Sequence, residues 1–302
     1  MAGPVKRKTT GRIVDEIIDA DKLTEKSYVF RDIHAMTMNN ESTINFLASL
    51  GLIHNSAMCC NQPMRLMTRS TSSDGKAWRC YVCSHYRSIR QDSFFSGSHL
   101  PLARLIDLIY WWAVFECKQR VVMEQVGIGP EAIVKWYNYF REICAVWCND
   151  NAMQIGGEGT VVEIGETKFT RHKHYTGPYE NRLLLGMVER RSLRCVFVPI
   201  SDRNASTLLP IIAQHVLPET RIIIDGGLAY QELLNHSDIN CNLHFVDPRN
   251  ATFNTNTIER TWREFKDKYR NMHGTSDNLF DTYLQEFCWR RSHKQKISNN
   301  HK

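Results

Sequence analysis

Along the chain the spacing of apolar residues changes character three times, dividing it into four stretches that predict different arrangements of elements. Residues 1–58 read as short helices, with Ser42–Leu50 expected as one of them. Ser42 is expected to cap it, with Asn45 in the place that Glu or Gln takes in a capping box. Residues 59–95 show little helical periodicity. Residues 96–150 are strongly helical: two apolar-periodic segments are separated by Glu124–Pro130, and the second, Glu131–Cys148, carries Ile133, Val134, Trp136, Tyr137, Phe140, Ile143 and Cys144. Pro130 suits a first helical turn and Gly127 a sharp turn before it. That is the pattern of a helix-turn-helix, with Lys135 and Arg141 as phosphate contacts. A plain helical hairpin fits the same residues equally well.

From residue 158 the pattern alternates. Thr160–Glu166, Leu183–Val188 and Cys195–Ile200 read as an antiparallel meander, with a turn at Glu189–Arg194. A helix (Ala205–Val216), a buried strand (Arg221–Asp225), a helix (Ala229–Leu234), a strand (Leu243–Val246) and a helix (Thr255–Arg270) follow. Three strands, helix, strand, helix, strand, helix is the order of a ribonuclease-H-like fold. The expected class is therefore α/β, with four segments: 1–58 helical, 59–95 zinc-ribbon-like, 96–150 helix-turn-helix-like, and 151–302 ribonuclease-H-like.

Composition narrows the classes. With 302 residues, 42% hydrophobic and 23% charged, the chain is neither disordered nor collagen-like. No apolar run reaches the ~18–20 residues of a membrane helix; Leu100–Phe115 is interrupted by Arg104 and Asp107. The basic N-terminal residues are not followed by the apolar segment of a secretory signal. The net charge of +6 is compatible with nucleic acid. It concentrates at Lys6-Arg7-Lys8 and at Arg290, Arg291, Lys294 and Lys296, which read as solvated ends rather than import or phosphate-binding signals.

The ten cysteines are expected as thiols or metal ligands. Cys117, Cys144, Cys148, Cys195, Cys241 and Cys288 stand in apolar or strand-like contexts, where buried thiols are the default. Cys80-Tyr81-Val82-Cys83 is different: two thiols at that spacing reach one tetrahedral zinc from a tight turn. Cys59 and Cys60 lie at a suitable distance upstream to complete it. Because adjacent cysteines chelate one ion awkwardly, one is expected as a bystander, with His54 or His85 as substitutes. Metal-free thiols are the alternative.

Asp225, at a strand end, and Glu259, on a later helix, occupy the second and third places at which acidic groups converge in ribonuclease-H-like folds. Converging carboxylates repel unless cations neutralise them; two Mg²⁺ ions about 3.5–4 Å apart also activate the attacking oxygen and stabilise the leaving one in phosphoryl transfer. Taken singly, the two residues read as a turn carboxylate and a solvated helix position.

Several runs are more specific: Asp202-Arg203-Asn204-Ala205-Ser206-Thr207-Leu208-Leu209-Pro210-Ile211-Ile212; Ile224-Asp225 with Ala229-Tyr230; Phe245-Val246-Asp247-Pro248; Asn256-Thr257-Ile258-Glu259-Arg260-Thr261-Trp262; and Leu279–Arg291. With these, about residues 30–292 resemble the Merlin group of DDE transposases, also described as ISXO-like. The resemblance implies binding of double-stranded DNA at transposon terminal repeats, metal-dependent cleavage and strand transfer, Mg²⁺ or Mn²⁺ at Asp225 and Glu259, Zn²⁺ in the N-terminal segment, homo-oligomers and a nuclear location. It also exposes departures. The family's first strand reads Val-Glu-Ile-Asp-Glu, and the place of its metal-binding Asp is Gly165 here. Glu163, on the same strand face but about 6–7 Å away, is a surrogate candidate; Glu166 points to the opposite face. Asn254 and Cys241 replace two usual histidines, and one Cys-x-x-Cys is lost. The expectation is a transposase-type protein with impaired catalysis, or its alternative, a domesticated non-catalytic DNA-binding protein.

Overall fold

In the computed structural model, which describes residues 11–19, 22, 28–150, 153–169, 182–224, 244–246, 255–271 and 277–298, contacts gather into two units, Met1–Lys135 and Trp136–Lys302.

The first unit opens with α1 (Phe30–Thr37) and α2 (Asn40–Ser49). Ser42 is not the cap of α2. Asn39, in extended conformation, accepts the Ser42 N–H at 2.8 Å, so the helix begins earlier than the apolar pattern and Ser42 lies in its first turn. A short hairpin, β1 (Met58–Cys59) and β2 (Gln62–Pro63), precedes an antiparallel sheet of β3 (Arg65–Thr68), β4 (Lys76–Arg79) and β5 (Tyr86–Ser88). Leu66, Trp78 and Arg87 share one sheet face, on which Trp78 is fully buried. Arg65, Arg79 and Tyr86 share the other. Arg90 braces the end of this sheet. It grips Asp74 with two bonds of 2.7 and 2.5 Å and donates to the Ser98 and Leu100 carbonyls. Helix α3 (Leu102–Tyr110) runs into a π-helical turn (Trp111–Phe115). Then α4 (Gln119–Val126) ends at Gly127, whose φ of +67° is the left-handed cap that glycine adopts without a Cβ clash.

Helix α5 (Pro130–Asp150) starts at Pro130 and leads into the second unit. There β7 (Val161–Phe169), β8 (Arg182–Glu189) and β9 (Cys195–Ile200) form the expected meander. Helix α6 (Ala205–His215) then returns the chain to β11 (Arg221–Ile224), which lies parallel to β7, with β12 (His244–Val246) parallel beyond it. The sheet order β12-β11-β7-β8-β9 is the ribonuclease-H-like arrangement. A small parallel pair, β6 (Ile155–Gly156) with β10 (Val216–Leu217), flanks it. Strand β7, with neighbours on both sides, is buried at most of its positions, with Glu166 half-buried and Lys168 exposed towards its end. Helix α7 (Asn256–Asn271) packs on β7 and β8, and α8 (Asp277–Ser298) on β9. Their aromatic residues build the core: Phe197 stacks on Trp262 at 4.1 Å, and Phe265 and Phe287 close around it. The expected helix Ala229–Leu234 and residues Asp225, Cys241 and Asn254 lie outside the described residues.

Candidate active site and metal centre

Strand β7 carries the first of the three acidic positions, and there the chain has Gly165, buried and paired with Gly186 of β8. Both glycines lie under α7. A Cβ at Gly165 would stand 3.3 Å from Cγ1 and Cγ2 of Ile258. A Cβ at Gly186 would overlap the Trp262 ring and lie 3.0 Å from Ile258 Cδ1. The helix that bears Glu259 therefore rests on a two-glycine floor, and Ile258, with 0% exposure, takes the space beside position 165. Position 165 offers no ligand atom, and the atoms nearest to an added Cβ there are carbons of Ile258.

Glu163, the surrogate candidate, is fully buried with both oxygens engaged. Oε1 meets Arg190 Nε at 2.5 Å, and Oε2 accepts the Ile258 N–H at 2.8 Å. It thus caps the first turn of α7 from the neighbouring strand, where free N–H groups and the helix dipole favour an anion. Glu166 points the other way and pairs with Arg203 at 2.5 Å. Glu259 is exposed in the first turn of α7. Asp225 would follow the last residue of β11 in sequence, but lies outside the described residues. No sequence signal marked the contacts of Ile258 and Arg190 with this site: they arise from which strand face meets which helix turn.

The helical phosphate contacts separate. Lys135 is exposed. Arg141 is not available to a phosphate: it is 3% exposed, its guanidinium lies 4.1 Å over the Tyr283 ring, and it bonds Asn138. Its place in an apolar-periodic helix hid that it faces α8 rather than solvent. On α5 the exposed charged residues are Lys135 against Glu131, Glu142 and Asp150, a poor surface for a polyanion.

The cysteine segment resolves more simply than expected. The Sγ atoms of Cys59, Cys60, Cys80 and Cys83 all lie within 4.8 Å of one another, with Cys59 at 3.8 Å from Cys60 and 3.6 Å from Cys83. Four sulfurs at ~2.3 Å from a tetrahedral ion stand ~3.8 Å apart. Neither Cys59 nor Cys60 is a bystander in this geometry. Adjacent residues converge because Cys60 and Asn61 take φ of +49° and +56°, folding the hairpin back on itself. That left-handed conformation costs about 1–3 kcal/mol at a non-glycine residue, so the rest of the fold must impose it. His54 instead faces the Asp92 carbonyl at 3.2 Å. Backbone N–H of Cys83, against the opposing effect of desolvation, holds the Cys80 thiol down to about 7, while hydrogen bonding from Cys83 and Cys59 pushes Cys60 up to about 12. The cluster can hold a metal ion. Cys144 and Cys148, by contrast, are pushed up to about 12 by burial, the state of inert core thiols.

Comparison with known proteins places the second unit. Residues 155–292 match the ISXO2-like transposase domain. An uncharacterized transposase-like protein of Haemophilus influenzae is 30% identical over 97 residues, covering 31% of this chain and 76% of that protein. Among solved structures, the HTLV-2 integrase catalytic core domain in complex with magnesium is 14% identical, covering 44% of this chain and 84% of its own, with a TM-score of 0.28. The simian T-cell lymphotropic virus intasome is 14% identical, covering 61% and 67%, with a TM-score of 0.32. With the domain match extending from β6 into α8 and a transposase-like relative 30% identical over 76% of its own length, the chain belongs to the ISXO2-like transposase family.

Proposed function

We propose that this is a transposase-type protein of the Merlin kind, nuclear, which binds double-stranded DNA at transposon ends but cleaves them little or not at all. The observation that carries the reading is Gly165 beneath Ile258. The resemblance requires three carboxylates for the Mg²⁺ or Mn²⁺ pair. Position 165 supplies none, and Glu163 is held by Arg190 and the α7 backbone. The pair is left with Asp225 and Glu259. This donor set does not fit two ions. Loss of a positioned catalytic group commonly costs several kcal/mol, and each ~1.4 kcal/mol is tenfold in rate.

Zn²⁺ fits the N-terminal cluster. Cys59, Cys60, Cys80 and Cys83 would hold it, cross-linking the β1–β2 hairpin to the β4–β5 knuckle where a small sheet has little core of its own. The helix pair α4–α5 serves in this reading as scaffold, given the burial of Arg141.

The test is end cleavage with Mg²⁺ or Mn²⁺ by the native chain, by Gly165→Asp, and by Gly165→Asp with Ile258→Ala. The native chain should be inactive. Gly165→Asp alone should recover little, because Ile258 crowds the new side chain; the double variant should recover more. Efficient cleavage by the native chain would overturn the impaired reading.

A further inference from the structure

We propose that the exposed face of the β3–β4–β5 sheet is the surface that grips the phosphodiester backbone of duplex DNA. The inference rests on the DNA-binding reading above and relocates it from α5. The register sets Arg65, Arg79 and Tyr86 side by side across the three strands, and cross-strand partners share a face. Arg69 lies just past β3 on the same alternation, and Tyr81 just past β4. Their side chains interleave as a row. Arg65 lies 4.4 Å over the Tyr81 ring, Arg79 is 5.4 Å from Tyr81 and 5.6 Å from Tyr86, and Arg69 lies 4.2 Å over Tyr86. The tyrosines stay open, at 50% and 37% exposure, and Arg65 and Arg69 are exposed.

Three guanidinium charges on one small face repel each other and call for counter-charge. Among the described residues none of the three pairs with a carboxylate: Glu41 is taken by Lys76 and Asp74 by Arg90. Among the described residues the buried Arg79 Nε has no hydrogen-bond partner, while Arg69 Nε donates to Thr71 Oγ1 at 2.9 Å and keeps its two terminal nitrogens for an anion. Stacking on a ring satisfies a guanidinium face and leaves its donor edge free, the arrangement that suits phosphate oxygens. The row is also long. Strands are ~4.8 Å apart, and Arg65 and Arg69 are separated by four residues of ~3.3 Å each. A single small anion cannot span it, whereas a DNA strand presents a charge every ~3.4 Å. Tyr81 belongs to the Cys80–Cys83 knuckle, so metal at the cysteine cluster would fix the ring on which two of the arginines lie.

The experiment uses the full chain purified with zinc and a short fluorescein-labelled duplex, with affinity followed by anisotropy between about 50 and 200 mM salt. Arg65→Ala with Arg69→Ala and Arg79→Ala should weaken binding tenfold or more. It should also lower the slope of log affinity against log salt by about 2–3, close to one per lost phosphate contact. The corresponding triple Lys variant should retain most of that slope, because charge is kept while stacking is not. If the native chain binds and the alanine variant binds with the same affinity and slope, this surface is excluded while the DNA reading stands. If the native chain binds no duplex, the DNA reading itself falls. Should the alanine variant lose zinc, the Lys variant decides: an equal loss of affinity there would overturn the proposal. Polyglutamate displacing DNA at equal charge would also overturn it, in favour of an acidic protein partner.

Discussion

Gly165 and Gly186 show how much one missing Cβ decides. Across the β7–β8 pair they leave a floor low enough for Ile258 and Trp262 to settle against the strands. The two positions are not equivalent. At Gly165 the neighbour is an isoleucine that can yield a few tenths of an ångström, whereas at Gly186 an added carbon would sit 2.3 Å from a ring stacked on Phe197. Gly186→Ala should therefore cost about 2–3 kcal/mol and Gly165→Ala about 1 or less, as overpacking does; urea unfolding of the two variants measures the difference. That Gly165 lacks a ligand atom was legible in the sequence. That Ile258 fills the space was not, since nothing in a linear pattern says which side chain of α7 lies over which residue of β7. Glu163 teaches the same lesson. Its spacing from position 165 made it a candidate ligand, yet Arg190 and the Ile258 N–H bind both its oxygens.

Helices α7 and α8 are joined by an ionic cluster. Glu286 of α8 meets Arg290 at 2.7 Å and Lys268 of α7 at 3.3 Å, while exposing only 5% of its surface. Burial raises the Glu286 pKa, but the charges of Lys268, Arg290 and Arg141 together outweigh it and hold the carboxyl below its ordinary value. With the folded pKa below the unfolded one, roughly 4.3, its contribution is complete above that pH. It is lost as pH falls through the folded value. Glu286→Gln should destabilise the native protein by about 3–5 kcal/mol near neutrality, because it strands buried cations without a counter-charge. It should also flatten the acid limb of the stability curve; thermal melts from neutral pH down to about 3 read both effects. In the sequence, Leu279–Arg291 stood out only through the family resemblance, and the basic run at Arg290 and Arg291 looked like a solvated end. Arg290 is 8% exposed, and Arg291 is held at 2.5 Å by Glu264.

At the scale of the molecule, the chain combines two ways of making a stable unit. Trp136–Lys302 has a sheet covered by two aromatic-rich helices and a large core. In Met1–Lys135 the small sheet depends on the Asp74–Arg90 pair and on whatever joins the four thiols. About one zinc per chain is expected by atomic absorption, and Cys80→Ser with Cys83→Ser should abolish it. Chelation should then remove amide-exchange protection from residues 57–95 while β7, β8 and β9 keep theirs. Equal loss in both regions would show that the metal does not act locally.

Periodicity and motif order sufficed for the meander strands, the fourth and fifth strands and the helix that carries Glu259, because strand and helix alternation are local properties of the chain. The Cys-x-x-Cys knuckle was legible for the same reason. Only the tertiary structure decided the rest. It turned Cys60 through a left-handed backbone to bring both adjacent thiols to the cluster, buried Arg141 over Tyr283, and tied Glu163 to the start of α7. It also lined up Arg65, Arg79 and Tyr86, which are far apart in sequence but neighbours in register. Each of these depends on the contact of one face with another. A side chain's period predicts that it points inward or outward, whereas its partner is fixed only when two elements meet at a definite register and the groups between them must satisfy their charge and volume.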